Sequence, residues 1–188
     1  MSIIPVTVPT GAIRYNTDSN KMECYNGTKW MQVAVSESTP IGARGLIGGA
    51  ESTNTITYFT IATTGNGVDF GDLTAAAASS TGGTASSATR GLIGLGYVAP
   101  ARTNRIDFCT IATTGDATDF GDLTLVRNNY GSLSNSTRGI FLGGNDPYTN
   151  TIDFVLIAST GDATHFGDVS IGVSGLGAAG SNCHGGLS

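Results

Sequence analysis

RGLIGLGYVAPARTNRIDFCTIATTGDATDFGDL, residues 90–123, is the stretch whose reading decides the fold, because it occurs three times in imperfect copies. The first copy, RGLIGGAESTNTITYFTIATTGNGVDFGDL, covers residues 44–73, and the third, RGIFLGGNDPYTNTIDFVLIASTGDATHFGDV, covers 138–169. Arg44, Arg90 and Arg138 open the copies at intervals of about 47 residues, a spacing that marks a repeat architecture. Within a copy the periodicity is two. In TNTIDFVLI (149–157), Ile152, Phe154 and Leu156 alternate with Asp153, Val155 and Ile157, which predicts a strand largely buried on both sides. ATTGD and ASTGD place glycine where a turn needs positive φ and aspartate where it can cap the backbone. RGLIGG reads as a short apolar strand whose glycines let neighbouring backbones approach. The linking stretches 74–89 and 124–137 carry one or two further strands, so three or four strands per repeat are expected. GLGAAGSNCHGG (175–186) reads as a partial fourth copy.

Composition agrees with an all-β chain. Gly makes up 28 of 188 residues and Thr 26, both poor helix formers, while charged residues are only 12% against the roughly 25% of an average domain. A hydrophobic fraction of 39% is too high for disorder, and no apolar run approaches the ~20 residues of a membrane span. The first ten residues, MSIIPVTVPT, lack the basic and long apolar regions of a secretory signal, and Pro5 and Pro9 favour an extended arm. A net charge of −5 with only Lys21 and Lys29 as lysines argues against nucleic acid as a partner. Cys24, Cys109 and Cys183 are odd in number and widely spaced, which implies neither a disulfide framework nor a zinc site. Low charge is what a chain buried among its own copies would show, since surface at subunit contacts needs no solvating charges.

Residues 11–33, GAIRYNTDSNKMECYNGTKWMQV, stand outside the repeat. AIRYN and KMECYN read as strands joined by Thr17–Asn20, and Asn26-Gly27 turns the chain into a third strand from Thr28 to Val33. Such a meander is unstable alone and must pack on the repeats or on another chain. The expected organisation is an arm over 1–10, a meander module over 11–35, a linker over 36–43 and a β-repeat body over 44–188.

The pattern G-x-I-R-Y-N-T-D-x-N-x-x-E-x-Y-N-G-x-x-W, carried by Gly11, Ile13, Arg14, Tyr15, Asn16, Thr17, Asp18, Asn20, Glu23, Tyr25, Asn26, Gly27 and Trp30, closely resembles a module that recurs in tail-fibre, tail-tip and other structural proteins of bacteriophages. The RGLIGG, TNTIDF, TIATTG and FGDL repeats look like those of virion-associated proteins of marine and cyanobacterial phages. A multi-stranded repeat with Gly-Gly after an apolar strand also resembles a kelch-type β-propeller blade, although propellers need roughly 4 to 8 blades and this chain offers about three and a half. Blades from different subunits would then complete one another, or the partial copy would complete a fourth. The resemblance implies a virion structural protein made in the bacterial host cytoplasm, not an enzyme. It would assemble as a homotrimer, bind other virion proteins and need no cofactor. A carbohydrate-binding adhesin recognising host surface glycan is the alternative.

Candidate chemistry is sparse. Asp116, Asp119 and Asp122, matched by Asn66, Asp69, Asp72 and by Asp162, His165, Asp168, could in principle ring a calcium ion, but their spacing fits no calcium loop and turn capping is expected instead. His165 and His184 lie in no nucleophile–base pattern, and Glu23, Glu37 and Glu51 all precede the second repeat, so no catalytic residue is expected. Arg44, Arg90 and Arg138 share one repeat position and are expected to bond carbonyls or a repeat aspartate, or else to line a shared concave face. Tyr15, Tyr25 and Trp30 are the binding or interface candidates of the meander, by packing or as an aromatic sugar platform.

Overall fold

The computed structural model describes residues 8–33, 44–49, 52–77, 82–145 and 147–173. Those residues contain strands and no helix. The chain divides into two compact units, Met1–Pro40 and Ile41–Ser188.

The first unit is an antiparallel meander of β1 (Ile13–Asn16), β2 (Lys21–Tyr25) and β3 (Trp30–Gln32). Asparagine shapes both of its turns: Asn16 Oδ1 accepts the N–H groups of Asp18 and Ser19, and Asn26 Oδ1 those of Thr28 and Lys29. Such side-chain mimicry of a backbone turn is why Asn recurs there.

The second unit holds one sheet per repeat. The first is β4 (Arg44–Gly48), β5 (Thr53–Thr60) and β6 (Val68–Ala77). The second contains β7 (Thr84–Ser86) and β8 (Arg90–Gly94). After a small hairpin of β9 (Tyr97–Val98) and β10 (Ala101–Arg102), it is completed by β11 (Arg105–Thr110) and β12 (Thr118–Asp122). The third runs β13 (Gly131–Ser134), β14 (Arg138–Leu142), β15 (Thr151–Leu156) and β16 (Thr164–Asp168) in spatial order. All pairings are antiparallel, and the Phe-Gly-Asp strand carries the same irregularity in every repeat. Register slips by one residue between Ile56 and Thr57, Ile106 and Asp107, and Ile152 and Asp153, which is the signature of a β-bulge. The glycine of the triplet absorbs it, with φ of +143°, +142° and +155° at Gly71, Gly121 and Gly167.

The cores lie between sheets rather than within them. One gathers Ile56, Phe70, Leu73 and Ala77 of the first repeat with Ile93, Leu95, Cys109 and Ala117 of the second. The other gathers Leu92, Ile106, Phe120 and Leu123 of the second with Phe141, Val155 and Ile157 of the third. Successive residues of β8, Leu92 and Ile93, therefore enter opposite cores, because side chains alternate across a strand. The middle sheet is buried on both faces and its neighbours on one. This corrects the reading of TNTIDFVLI as covered on both sides: Asp153 and Val155 are buried, Ile152 is half-buried, and Leu156 lies in the open. A strand of an outer sheet keeps one face without a neighbour among the described residues. The three sheets follow in series and, among the described residues, form no closed propeller. The linker at 36–43, the partial fourth copy, His184, Cys183 and residues 1–7 of the arm lie outside the described residues.

Candidate functional site

The chemistry-bearing side chains gather where one repeat meets the next. On one side, the Phe-Gly-Asp strand of a repeat turns its free edge outward; on the other, the Thr-Gly-Asp turn of the following repeat lies along it. Gly115 N–H donates to the Phe70 carbonyl (2.7 Å) and Ala117 N–H to the Asp72 carbonyl (2.8 Å), while Asp116 Oδ1 accepts the Asp72 N–H at 3.0 Å. One repeat later the same set recurs: Gly161 N–H to Phe120 (2.8 Å), Ala163 N–H to Asp122 (2.8 Å) and Asp122 N–H to Asp162 Oδ1 (3.0 Å). Asp116 and Asp162, expected to cap their own turns, instead cap the neighbouring repeat. Asp69 closes locally, its Oδ1 accepting the Gly71 N–H at 3.3 Å. Among the described residues, no group of three or more His, Cys, Asp or Glu side chains is placed to hold a metal ion.

The repeat arginines belong to the same junction. Arg44 Nη1 donates to the Ile111 carbonyl at 2.8 Å and Arg90 Nη1 to the Ile157 carbonyl at 3.0 Å, each reaching into the following repeat. Each guanidinium also lies over a ring of its own repeat: Arg44 over Tyr58, Arg90 over Phe108 and Arg138 over Phe154, at 4.8, 4.7 and 5.1 Å. That ring meets the phenylalanine of the triplet edge-on, in the pairs Tyr58–Phe70, Phe108–Phe120 and Phe154–Phe166. Arg138 is exposed and has no carbonyl partner among the described residues. The aromatic partners were open to sequence reading, since Tyr58, Phe108 and Phe154 hold one repeat position, but only the fold shows what they support.

A pair of buried aspartates completes the junction. Thr74 gives its N–H and hydroxyl to Asp107 at 2.8 and 2.7 Å, and Thr124 gives both to Asp153 at 3.1 and 2.7 Å. Both carboxylates are fully buried. At Asp153 the charge is met by Arg127, equally buried, whose Nη2 lies 2.9 Å from Oδ2. Burial, opposed by Asp153, pushes the Arg127 guanidinium below its ordinary value. At Asp107 the counterpart of Arg127 is missing, because Ala77 stands at its place; burial raises that carboxyl above the usual carboxylate range, against the pull of the Thr74 bonds and of the nearby Arg105. A raised folded-state pKa contributes stability that is fully present below the unfolded carboxylate value and is lost as pH rises through the folded one. The stability lead of the native chain over Asp107→Asn is therefore expected to shrink from acid toward neutral pH, measured by urea unfolding of both. A gap that widens with pH would refute this assignment.

Elsewhere, among the described residues, the surface offers little reactive chemistry. A cleft of about 200 Å³ between the first two repeats is lined by Arg44, Leu46, Ala85, Ser86, Leu92 and Ile111, and one of about 180 Å³ lies along Phe154–Leu156 and Ser159–Asp162. Neither brings two carboxylates or a histidine together. His165 sits on β16 opposite Asp153 in the ladder, and its side chain is exposed. Cys109 is buried with its Sγ 3.8 Å from the Gly91 carbonyl, and burial pushes its thiol up. Cys24 is half-buried and free.

The meander separates its candidates onto two faces. Tyr25 and Trp30 meet with ring centroids 5.4 Å apart, and the Arg14 guanidinium covers the indole at 4.1 Å while bonding Glu23 at 2.8 Å. Tyr15 lies on the opposite face, its hydroxyl 2.9 Å from Asn20 Oδ1. Pairing Cys24 with Ile13 on one side and Met31 on the other, and Tyr15 with Met22, makes that face apolar, and Ile13, Tyr15, Met22 and Met31 are all exposed.

No protein-family model matches the chain, and a search of the curated proteins finds no significant match.

Proposed function

We propose that this chain is a non-enzymatic structural component of a bacteriophage virion, a fibre, tail-tip or decoration protein, whose meander attaches it and whose β-repeat body is displayed. The observation that carries the reading is the thirteen-position pattern from Gly11 to Trp30, which resembles phage structural modules, on a meander whose apolar face of Ile13, Tyr15, Met22 and Met31 is exposed. Such a face buries itself against a partner or costs solubility. The spending of the repeat arginines and aspartates on repeat-to-repeat bonding supports a scaffold over a catalyst. On this reading the repeats are kelch-like, propeller-type blades completed between subunits. The assembly is a homotrimer held by main-chain pairing and apolar burial, with other virion proteins as further partners. Arg14 already covers the Trp30 ring, which disfavours a sugar platform there. Antibodies raised against the purified chain are expected to label phage particles purified from the lysate that produces it, and mass spectrometry of those particles to find the chain in constant copy number. Particles free of it would overturn the proposal.

A further inference from the structure

The junction between repeats has two unlike halves, and each end of the array displays one of them with nothing against it among the described residues. The leading half is the Phe-Gly-Asp strand with its arginine. In repeats one and two, Phe70 and Phe120 are covered by the next repeat and are 3% exposed; in repeat three, Phe166 holds the same register and is 55% exposed. A Cβ added at Gly71 or Gly121 would strike the main chain of the next repeat at 2.5 Å, yet one at Gly167 would meet nothing within 4 Å. The trailing half is the turn Ile-Ala-Thr-Thr-Gly, which reads Ile-Ala-Ser-Thr-Gly in repeat three. Ile157 is 1% exposed and Ile111 half-buried where the preceding repeat packs on them, whereas the matching Ile61 of repeat one is 62% exposed.

The residues at these two ends differ from the internal ones in a consistent direction. Where the internal trailing halves carry Asp107 or Asp153, repeat one carries Thr57; where they carry Asp116 or Asp162, it carries Asn66. At the other end Ser170 replaces Thr74 and Thr124. Asn66 Oδ1 can still accept an Asp168 N–H, and two hydroxyls can pair where a hydroxyl met a carboxylate. What is lost is the need to desolvate a carboxylate each time the halves meet, which is costly for surfaces that must associate from water. A solvent-facing end repeat would instead present a polar outer face, not an exposed isoleucine and phenylalanine.

We propose that the third repeat of one chain docks on the first repeat of a second copy, Phe166 and the Gly167–Asp168 main chain meeting Ile61 and the Thr64–Gly67 turn, through the same bonding that joins repeats within a chain. The occupant is a second copy because the only surface shown to fit this strand edge is a trailing half, twice within the chain, and the free trailing half belongs to repeat one. The contact is heterologous, so it closes into a ring, as in a trimer, when the rotation permits. It deepens the oligomer reading above and rests on that part of it, not on the virion.

The test is sedimentation velocity of the full chain across the micromolar range. Native protein is expected to form oligomers, and Phe166→Asp and Ile61→Asp, each spoiling one half, to be monomers. An equal mixture of the two variants retains one intact half from each and should regain a dimer and nothing larger. Far-ultraviolet circular dichroism melts near the native one show that the variants fold; Ser170→Arg and Ile61→Lys replace either if it does not. A native chain that stays monomeric overturns the proposal, and one whose monomer is destabilised by Phe166→Asp assigns that face to the chain's own residues beyond 173. Variants of native mass, or a mixture that does not pair, overturn it as well. Particles lacking the chain, with this pairing intact, would sink only the virion reading.

Discussion

Asp153→Ala is expected to lower stability by about 3–5 kcal/mol, the range for stranding one member of a buried ion pair. Arg127 and Asp153 are both 0% exposed and 2.9 Å apart. Loss of the carboxylate leaves the guanidinium charge in the core with the carbonyls of Thr151 and Phe141, each at 3.3 Å, and the Tyr130 ring at 5.7 Å, while its Nε already has no hydrogen-bond partner among the described residues. The Thr124 N–H and hydroxyl lose their acceptor too. For a chain of this size that loss corresponds to a fall in Tm on the order of 10 °C. Calorimetry of Asp153→Ala beside Arg127→Met/Asp153→Leu separates charge from packing. The double variant should recover much of the loss, because a buried pair contributes little beyond an apolar replacement of similar volume. A single variant melting within a degree or two of the native chain would show that the pair is not desolvated.

The second large effect concerns one glycine in two settings. Gly121→Ala and Gly167→Ala impose the same backbone conformation on alanine, at φ of +142° and +155°, which costs roughly 1–3 kcal/mol in each case. At Gly167 the cost stops there. At Gly121 the new Cβ would sit 2.5 Å from the Gly161 carbonyl oxygen, main chain that cannot rotate away. The junction must open, and with it the Gly161 and Ala163 main-chain bonds and the Asp162 cap, at about 1 kcal/mol for each neutral bond and about 2 for the charged one. Gly121→Ala is thus expected to cost about 4 kcal/mol more than Gly167→Ala, read from urea midpoints in dilute solution. Equal losses would mean that the inter-repeat stitch contributes nothing to folding.

Much of the local structure was legible because its causes are local. Period-two alternation placed the RGLIG and TNTIDF strands, and Gly, Asn and Asp placed the turns between them, since a hairpin is set by a few adjacent residues. The junction was not legible in the same way. Asp116 read as the cap of its own turn, whereas its acceptor atom serves Asp72, a residue 44 positions earlier. Arg44 and Arg90 read as bonding carbonyls or a repeat aspartate, and the carbonyls they bond lie 67 positions away, in the next repeat. Arg127 passed unnoticed in a linker, because nothing in LVRNNYG announces a residue that is fully buried.

The amino-acid sequence by itself determined that this protein is all-β, built of three copies of one unit, and that the meander from Gly11 to Val33 stands apart from them. Strand period and turn chemistry repeat wherever their residues repeat, so a single chain discloses them. Only the tertiary structure decided what the copies do for one another: cores lie between sheets, the Phe-Gly-Asp edge of one repeat is sealed by the turn of the next, and Phe166 and Ile61 are left open at the ends. Three imperfect copies of one pattern cannot reveal this, because the difference between Phe120 and Phe166 lies in their neighbours, and neighbours are assigned by folding.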